Sequence, residues 1–281
     1  MTDTISAIDH LLVGVRDLAA AGEAYQRLGF TLTPLGRHVG KESGNYCIMF
    51  PDDYLELKGV VDPSLPSEGF TDQLAQRGEG WIGVAFAGAA DEGAANDWRE
   101  RGVEASNPLE LARMVELPDG DTELRFTRVR LPETARIGLD AFVCEHLTPE
   151  LTRRPEWLEH ENGAVGVVGV TAVVDEPHSF QAFAGKLVGA HAVRESDHDL
   201  VLKAGAAEIR LAARSEWHDP TRDLPPGPFI ASAAVSVRNP AATARFLAAR
   251  GVGIDVTSTG AVRVPPAEAC GATLDFVEVP T

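Results

Sequence analysis

One phrase occurs four times in this chain: an apolar strand, a polar residue fit to cap a helix, an alanine-rich amphipathic stretch, then a glycine. The copies read IDHLLVGVRDLAAAGEAYQRLGF from Ile8, WIGVAFAGAADEGAANDWRERGV from Trp81, GVTAVVDEPHSFQAFAGKLVG from Gly169 and SAAVSVRNPAATARFLAARGV from Ser232. The candidate caps Asp17, Asp91, Asp175 and Asn239 precede Gly29, Gly102, Gly189 and Gly251 by 11 to 14 positions. That spacing is one helix of about three to four turns. Asp and Asn accept hydrogen bonds from the free amides of a first turn, and Gly supplies the left-handed conformation that ends the last one. Pro240, directly after Asn239, sits where a first-turn proline is tolerated.

Further strand-like runs follow the first glycine at residues 31–35, 45–50 and 54–60, the last two joined by the turn-forming Pro51, Asp52 and Asp53. The unit is therefore βαβββ. Its single helix covers one face of its sheet, so the other face must meet a second unit or enclose something. Pairing units one with two and three with four predicts an α+β fold: four βαβββ modules in two cupped mixed β-sheets, with helices on the outer faces. Residues 148–163, TPELTRRPEWLEHENG, are polar, contain two prolines and lack a sustained period. They are expected to connect a first domain, residues 1–147, to a second, residues 164–281, with Arg153 and Arg154 on a solvated surface.

Composition removes several function classes. With 44% hydrophobic and 24% charged residues the chain is an ordinary globular mixture. Its longest apolar-plus-glycine stretch, residues 163–174 with Thr171 as the one interruption, is 12 long, short of the about 20 needed to cross a bilayer as a helix. The first seven residues, MTDTISA, lack the basic start and apolar core of a secretory signal, so a cytoplasmic location is expected. A formal charge of −17 without a basic cluster argues against nucleic acid or an anionic membrane surface as a partner. Cys47, Cys144 and Cys270 are odd in number and far apart, which supports neither a disulfide framework nor a cysteine zinc site; small buried residues are expected. Nucleophile elbow, phosphate-loop and dinucleotide-binding motifs are missing.

Three residues stand out as candidate ligands. His10 interrupts the apolar first strand on the face of Ile8 and Leu12, opposite Asp9, Leu11 and Val13. Glu56 shares a face of its strand with Tyr54 and Lys58, a pattern that also describes a solvated surface. His146 ends the apolar run LDAFVCEH, the last strand of the second unit. Each has an ordinary structural alternative: a hydrogen-bonded core histidine, a solvent-facing glutamate, a strand-end cap. Together they form a two-histidine, one-carboxylate set suited to Zn, Fe, Mn or Ni. The segment GRHVGKESGN at residues 36–45 adds Arg37, His38 and Asn45 as groups able to hold an anionic or carbonyl substrate, with Tyr54 and Arg125 as further candidate contacts.

At residues 7–62, in IDHLLVGVRDL, the LGF after the helix, GRHVGKESGNYCIMF and YLEL, the chain resembles glyoxalase-like proteins of the vicinal oxygen chelate superfamily. FVCEHLTPELTRRPEWLEHENGA from Phe142 looks like a segment of an uncharacterised subgroup of them. The resemblance implies a cupped sheet whose first and fourth strands present His, Gln or Glu to a divalent metal that chelates two adjacent substrate oxygens. His10 and Glu56 match half of that ligand set. The other modules offer Gly83, Val168 or a near neighbour, and Ser232 in place of His10, and Arg125 or Cys144, Arg210 and Asp275 in place of Glu56.

Two functions follow. The first is a metal-assisted isomerase, lyase or dioxygenase of a small oxygen-rich or carbonyl metabolite, with metal on His10, Glu56 and His146 and with His38 and Glu56 as catalytic groups. The second is a metal-free protein that binds or sequesters a small molecule in the cup. In either case the site is expected in the N-terminal half, and a monomer or homodimer suffices.

Overall fold

A computed structural model describes residues 5–117, 120–217 and 224–279. Met1 to Thr4 and His218 lie outside the described residues. Each repeat forms its strand and helix. In the first half the strands are β1 (Ala7–Gly14), β2 (Gly36–His38), β3 (Ser43–Met49), β4 (Tyr54–Val60), β5 (Gly80–Ala87), β6 (Leu109–Leu117), β7 (Gly120–Arg130) and β8 (Phe142–His146). The second half contributes β9 (Ala164–Val174), β10 (Val193–Glu195), β11 (Asp199–Ala204), β12 (Ala207–Ala213), β13 (Phe229–Val237), β14 (Asp255–Val256), β15 (Val262–Val264) and β16 (Leu274–Glu278). The helices are α1 (Leu18–Arg27), α2 (Phe70–Arg77), α3 (Glu92–Glu100), α4 (Gln181–Val188) and α5 (Pro240–Ala249).

Three helix starts follow the capping rule: Asp17, Asp91 and Asn239 accept from the amides of Ala20, Ala94 and Ala242 at 3.0, 2.8 and 3.0 Å. The third repeat departs from it. A 3₁₀ turn at Pro177–Phe180 precedes α4, Phe180 takes the cap position, and Asp175 instead accepts from Arg214 Nε at 2.9 Å. All four terminal glycines have φ between 69° and 87°, the left-handed region. Residues 31–35 form no strand, so the second strand of module one is only Gly36–His38; α2, inserted between the first two modules, had no signal in the repeat.

The two sheets have the expected mixed character. The first closes as a barrel in the order β1-β4-β3-β2-β6-β7-β8-β5; the second stays open as β10-β11-β12-β9-β13-β16-β15-β14. In every module the first and last strands pair in parallel, and the two first strands of each half pair antiparallel at its centre. Inside the barrel, Trp157 joins Met49, Val115, Leu117 and Leu124 in an apolar plug, while α2 lays Phe70 and Leu74 on Leu12 and Ile82. Among the described residues no helix is long and apolar enough to cross a membrane.

A one-residue bulge recurs in each first strand. The ladder steps from Ile8↔Phe86 to His10↔Ala85, leaving Asp9 extra, and from Leu12↔Gly83 to Val13↔Trp81, leaving Ile82 extra. The same breaks in the second half leave Ala231 and Val168 extra. Bulge residues are thus paired with His10, Gly83, Gly169 and Ser232, so Gly169 rather than Val168 is the third module's counterpart of His10. The parallel ladders set Glu56 beside Leu12 and Phe142 beside Ala85, which makes Phe142, not Arg125 or Cys144, the second module's counterpart of Glu56. Arg210 and Asp275 hold the corresponding places in the second half.

Residues 148–163 are built into the joint between the halves. Buried His160 accepts from the Thr31 amide through Nδ1 and donates to the Met49 carbonyl through Nε2, both at 3.0 Å, and Asn162 donates to the Leu28 carbonyl at 3.0 Å. Arg153, expected in a solvated linker, donates to the Asp52 carbonyl. The same joint holds Asp53, which accepts from the Val167 amide at 2.9 Å. Burial pushes its carboxyl up from 3.8 to about 7 despite that hydrogen bond. Between those values the folded chain holds a proton that the unfolded chain has lost, so stability falls as pH rises through this window. Asp53→Asn keeps an acceptor and removes the charge; it is expected to raise the unfolding free energy by about 2–4 kcal/mol at pH 8 and to have no effect at pH 3. Urea denaturation at the two pH values checks this.

Candidate functional site

The bulge decides the site's geometry. Simple alternation puts Asp9 on the opposite face from His10, but the extra residue turns its carboxylate to the same side. Asp9 Oδ2 accepts from His10 Nδ1 at 2.6 Å, and both side chains are buried, at 4% and 3% exposure. Because a carboxylate can only accept, a hydrogen is assigned to Nδ1, and Nε2 is turned toward Glu56, 3.4 Å away at Oε2. Tyr54 fixes the imidazole plane by stacking on it, with ring centroids 4.3 Å apart and an interplanar angle of 20°.

Glu56, 6% exposed, faces the barrel interior rather than solvent. Asn45 Nδ2 donates to its Oε1 at 2.9 Å, and His38 Nε2 stands 3.8 Å from the same oxygen. His38 Nδ1 lies 3.1 Å from the Ser43 carbonyl and 3.0 Å from the Ser43 hydroxyl, which leaves Nε2 on the Glu56 side. Burial pushes the His38 imidazole down to about 4, although Glu56 pulls the other way. Burial alone would raise the Glu56 carboxyl, but His10, His38, Lys58 and the Asn45 hydrogen bond outweigh it and hold it below the usual range.

His146 approaches from the far end of β8. Its Nε2 lies 3.0 and 3.1 Å from the two oxygens of Asp9, so His10 and His146 meet through that carboxylate. Burial would raise the Asp9 carboxyl; the two imidazole hydrogen bonds hold it well below the ordinary carboxylate range instead. His146 Nδ1 is buried without a partner. Asp9, Cys144 and His146 each place one ligand atom within 4.8 Å of the others; among the described residues no second trio does so, and His10, Glu56 and His146 are joined in a line through Asp9. Burial pushes the Cys144 thiol well above its usual value.

The cavity above these groups encloses about 720 Å³ of empty space, its open mouth included, and His10, His38, Asn45, Tyr54 and Glu56 line it. Two expected contacts are elsewhere. Arg37 and Arg125 point outward to exposed pairs with Glu116 and Glu110 at 3.1 and 2.9 Å. Their strand neighbours turn inward instead: Arg113 donates to Cys47 Sγ at 2.9 Å and lies over the Phe126 ring, and Arg128 lies over Phe142. Asp9, Cys144, Lys58, Arg113 and Arg128 were thus missed by sequence reasoning. Asp9 is a charge in an otherwise largely apolar strand, and that was the signal available for it; Arg113 shares its strand with Glu110 and Glu116 and does not stand out.

Comparison with known proteins agrees with this architecture. A family model described as a glyoxalase-like domain matches residues 8–188. No curated protein matches the sequence. Among solved structures, a hypothetical protein from Staphylococcus aureus is similar over 97% of this chain and 99% of its own, with TM-score 0.65 and 14% identity. A mutant of 4-hydroxymandelate synthase from Streptomyces coelicolor is similar over 98% and 93%, with TM-score 0.59 and 13% identity. A xylose isomerase-like TIM barrel/4-hydroxyphenylpyruvate dioxygenase fusion protein matches all of this chain with half of its own, at TM-score 0.59 and 14% identity. The family match covers more than half of the chain, whose strands and helices form paired βαβββ modules, and the chain belongs to the glyoxalase-like family of the vicinal oxygen chelate superfamily.

Proposed function

We propose that this protein is a divalent-metal-dependent enzyme acting on a small molecule with adjacent oxygens, and that His10 Nε2 and Glu56 hold the ion. One observation carries the reading. Two imidazole nitrogens, His10 Nε2 and His38 Nε2, and the buried Glu56 carboxylate are turned toward one another, and Asn45 donates to that carboxylate. Electron pairs gathered in this way need a cation or an added proton between them. The spacing also fits: two ligands about 2.1 Å from a tetrahedral centre lie about 3.4 Å apart, and His10 Nε2 and Glu56 Oε2 are separated by 3.4 Å. Asp9 behind His10 supports the same role, since carboxylates that accept from the second ring nitrogen orient metal-bound histidines.

A divalent ion held there, of the Zn, Fe, Mn or Ni type, would polarise a substrate carbonyl or hydroxyl and acidify the hydrogens beside it. The chain's own groups are matched to that task. His38 and Glu56 both have depressed proton affinity, so at neutral pH they accept protons only from an acidified substrate. Asn45 fixes the Glu56 carboxylate, and Tyr54 keeps the His10 ring in plane. The sparse ligand set favours a second reading, a metal-free binder of the same fold, because Gly83 and Phe142 occupy the places of His10 and Glu56 in the second module.

Calorimetric titration with each metal separates the two. The enzyme reading expects one ion per chain. His10→Ala should abolish it. Equal affinity in wild type and His10→Ala would overturn the His10–Glu56 site.

A further inference from the structure

The chain carries a formal charge of −17, yet the cavity above Glu56 is basic. Lys41, Lys58, Arg113 and Arg128 line it against Glu56 and Glu68. Lys41 and Glu68 neutralise each other in an ion pair at 2.7 Å, and Arg113 is engaged by Cys47 and Phe126. That leaves Lys58 and Arg128, both half-buried. Among the described residues neither side chain has a hydrogen bond or an ion pair, and Arg128 Nε is buried with no partner at all. Their contacts are aromatic: Lys58 Nζ lies 4.8 Å from the Phe70 ring centroid, and Arg128 Cζ 5.9 Å from that of Phe142. Both residues also line the adjoining cavity beneath α2, so they flank the passage between the two spaces.

Glu56 and Glu68 stand on the same cavity wall, but neither is hydrogen-bonded to Lys58 or Arg128, and donors held partly out of water without an acceptor are incompletely satisfied. We propose that this pocket binds an organic oxyanion, a carboxylate or a phosphate monoester, with its charged end between Lys58 and Arg128, its apolar body against Leu12 and Phe142, and its reacting oxygens toward His10 and Glu56. The inference deepens the enzyme reading by naming the substrate class. It uses that reading only for which end reacts, so the two fail independently.

The test uses full-length, metal-depleted protein at constant ionic strength. Probes are matched sets: benzoate and phenylacetate against their amides, and phenyl phosphate and propyl phosphate against phenol and propanol, followed by thermal shift and calorimetry. Binding should be confined to anions, and the carboxylate and phosphate arms tell which oxyanion is preferred. Lys58→Met and Arg128→Met, which keep an apolar stem, should each weaken the best anion by about ten- to a hundredfold, the usual value of a charged hydrogen bond. Arg194→Met, which removes an exposed pair with Glu208, should not. Without ligand Arg128→Met should melt at or above the wild-type temperature, because it removes a buried donor that has no hydrogen-bond acceptor. His10→Ala should lose metal while keeping anion affinity, which separates failure of the metal reading from failure of this one. The proposal is overturned if no anion binds, if neutral partners bind equally, if the variant carrying both Lys58→Met and Arg128→Met keeps wild-type anion affinity, or if Arg128→Met melts well below wild type.

Discussion

Replacing Asp9 by alanine is expected to lower the unfolding free energy by about 3–5 kcal/mol at pH 7, the largest stability effect of any single side chain in the site. Its carboxylate is buried, accepts from His10 at 2.6 Å and lies 3.0 Å from His146 Nε2. Truncation strands two imidazoles in an apolar setting between Tyr54, Phe126 and Phe142, and an unsatisfied buried polar group costs about 1–3 kcal/mol each. Asparagine should recover part of the loss, because its amide oxygen still accepts one of the two hydrogen bonds. The folded carboxyl is held below its unfolded value, so the stabilisation is complete above the ordinary carboxylate range and fades as pH falls below it. Urea unfolding at pH 7 and pH 3 measures both parts. A loss under about 1 kcal/mol at pH 7 would mean that Asp9 is not the shared acceptor described here.

The helices were legible in the sequence because their signals are local. Asp17, Asp91 and Asn239 cap within three residues, and the glycines end each helix through their own backbone freedom. Asp175 looked identical in sequence, but the neighbouring Pro177 starts a 3₁₀ turn and Arg214, far along the chain, claims the carboxylate. Strand faces were legible only where nothing interrupted the alternation. Glu56 and Lys58 read equally well as a solvated face or as the inside of a barrel, and closure of the sheet, a long-range event, decides between them. Asp9 was hidden for a different reason: a one-residue bulge reverses parity locally, and nothing in IDHLLVG marks it except the charge itself. Arg37 and Arg125 were attractive as loop and strand cations, yet each is one step out of phase with the inward-facing His38 and Phe126.

Glu56→Gln should remove at least about a hundredfold of the affinity for divalent metal and leave the fold intact. Four-ligand zinc sites release about 10–16 kcal/mol in total, so one ligand is worth about 3 kcal/mol or more. Glutamine keeps the shape of Glu56 and an oxygen for the Asn45 hydrogen bond, so the loss reads out the ligand rather than packing. The same titration must be run on Cys144→Ser and His146→Ala, because Asp9, Cys144 and His146 form a second group of potential ligand atoms within 4.8 Å of one another. Asp9 belongs to that group and also supports His10, so a variant at Asp9 weakens metal binding under either arrangement and cannot separate them. Cys144 and Glu56 can, since each touches only one. If the ion rests on His10 and Glu56, Cys144→Ser changes affinity by less than about threefold, while Glu56→Gln lowers it at least a hundredfold. The reverse pattern would put the metal at the base of the barrel, behind the cavity, and Glu56 would then be a proton-handling or substrate-binding group rather than a ligand. Cobalt substitution gives an independent reading, because a cysteine thiolate bound to Co²⁺ adds an intense near-ultraviolet charge-transfer absorption that a His10–Glu56 site lacks.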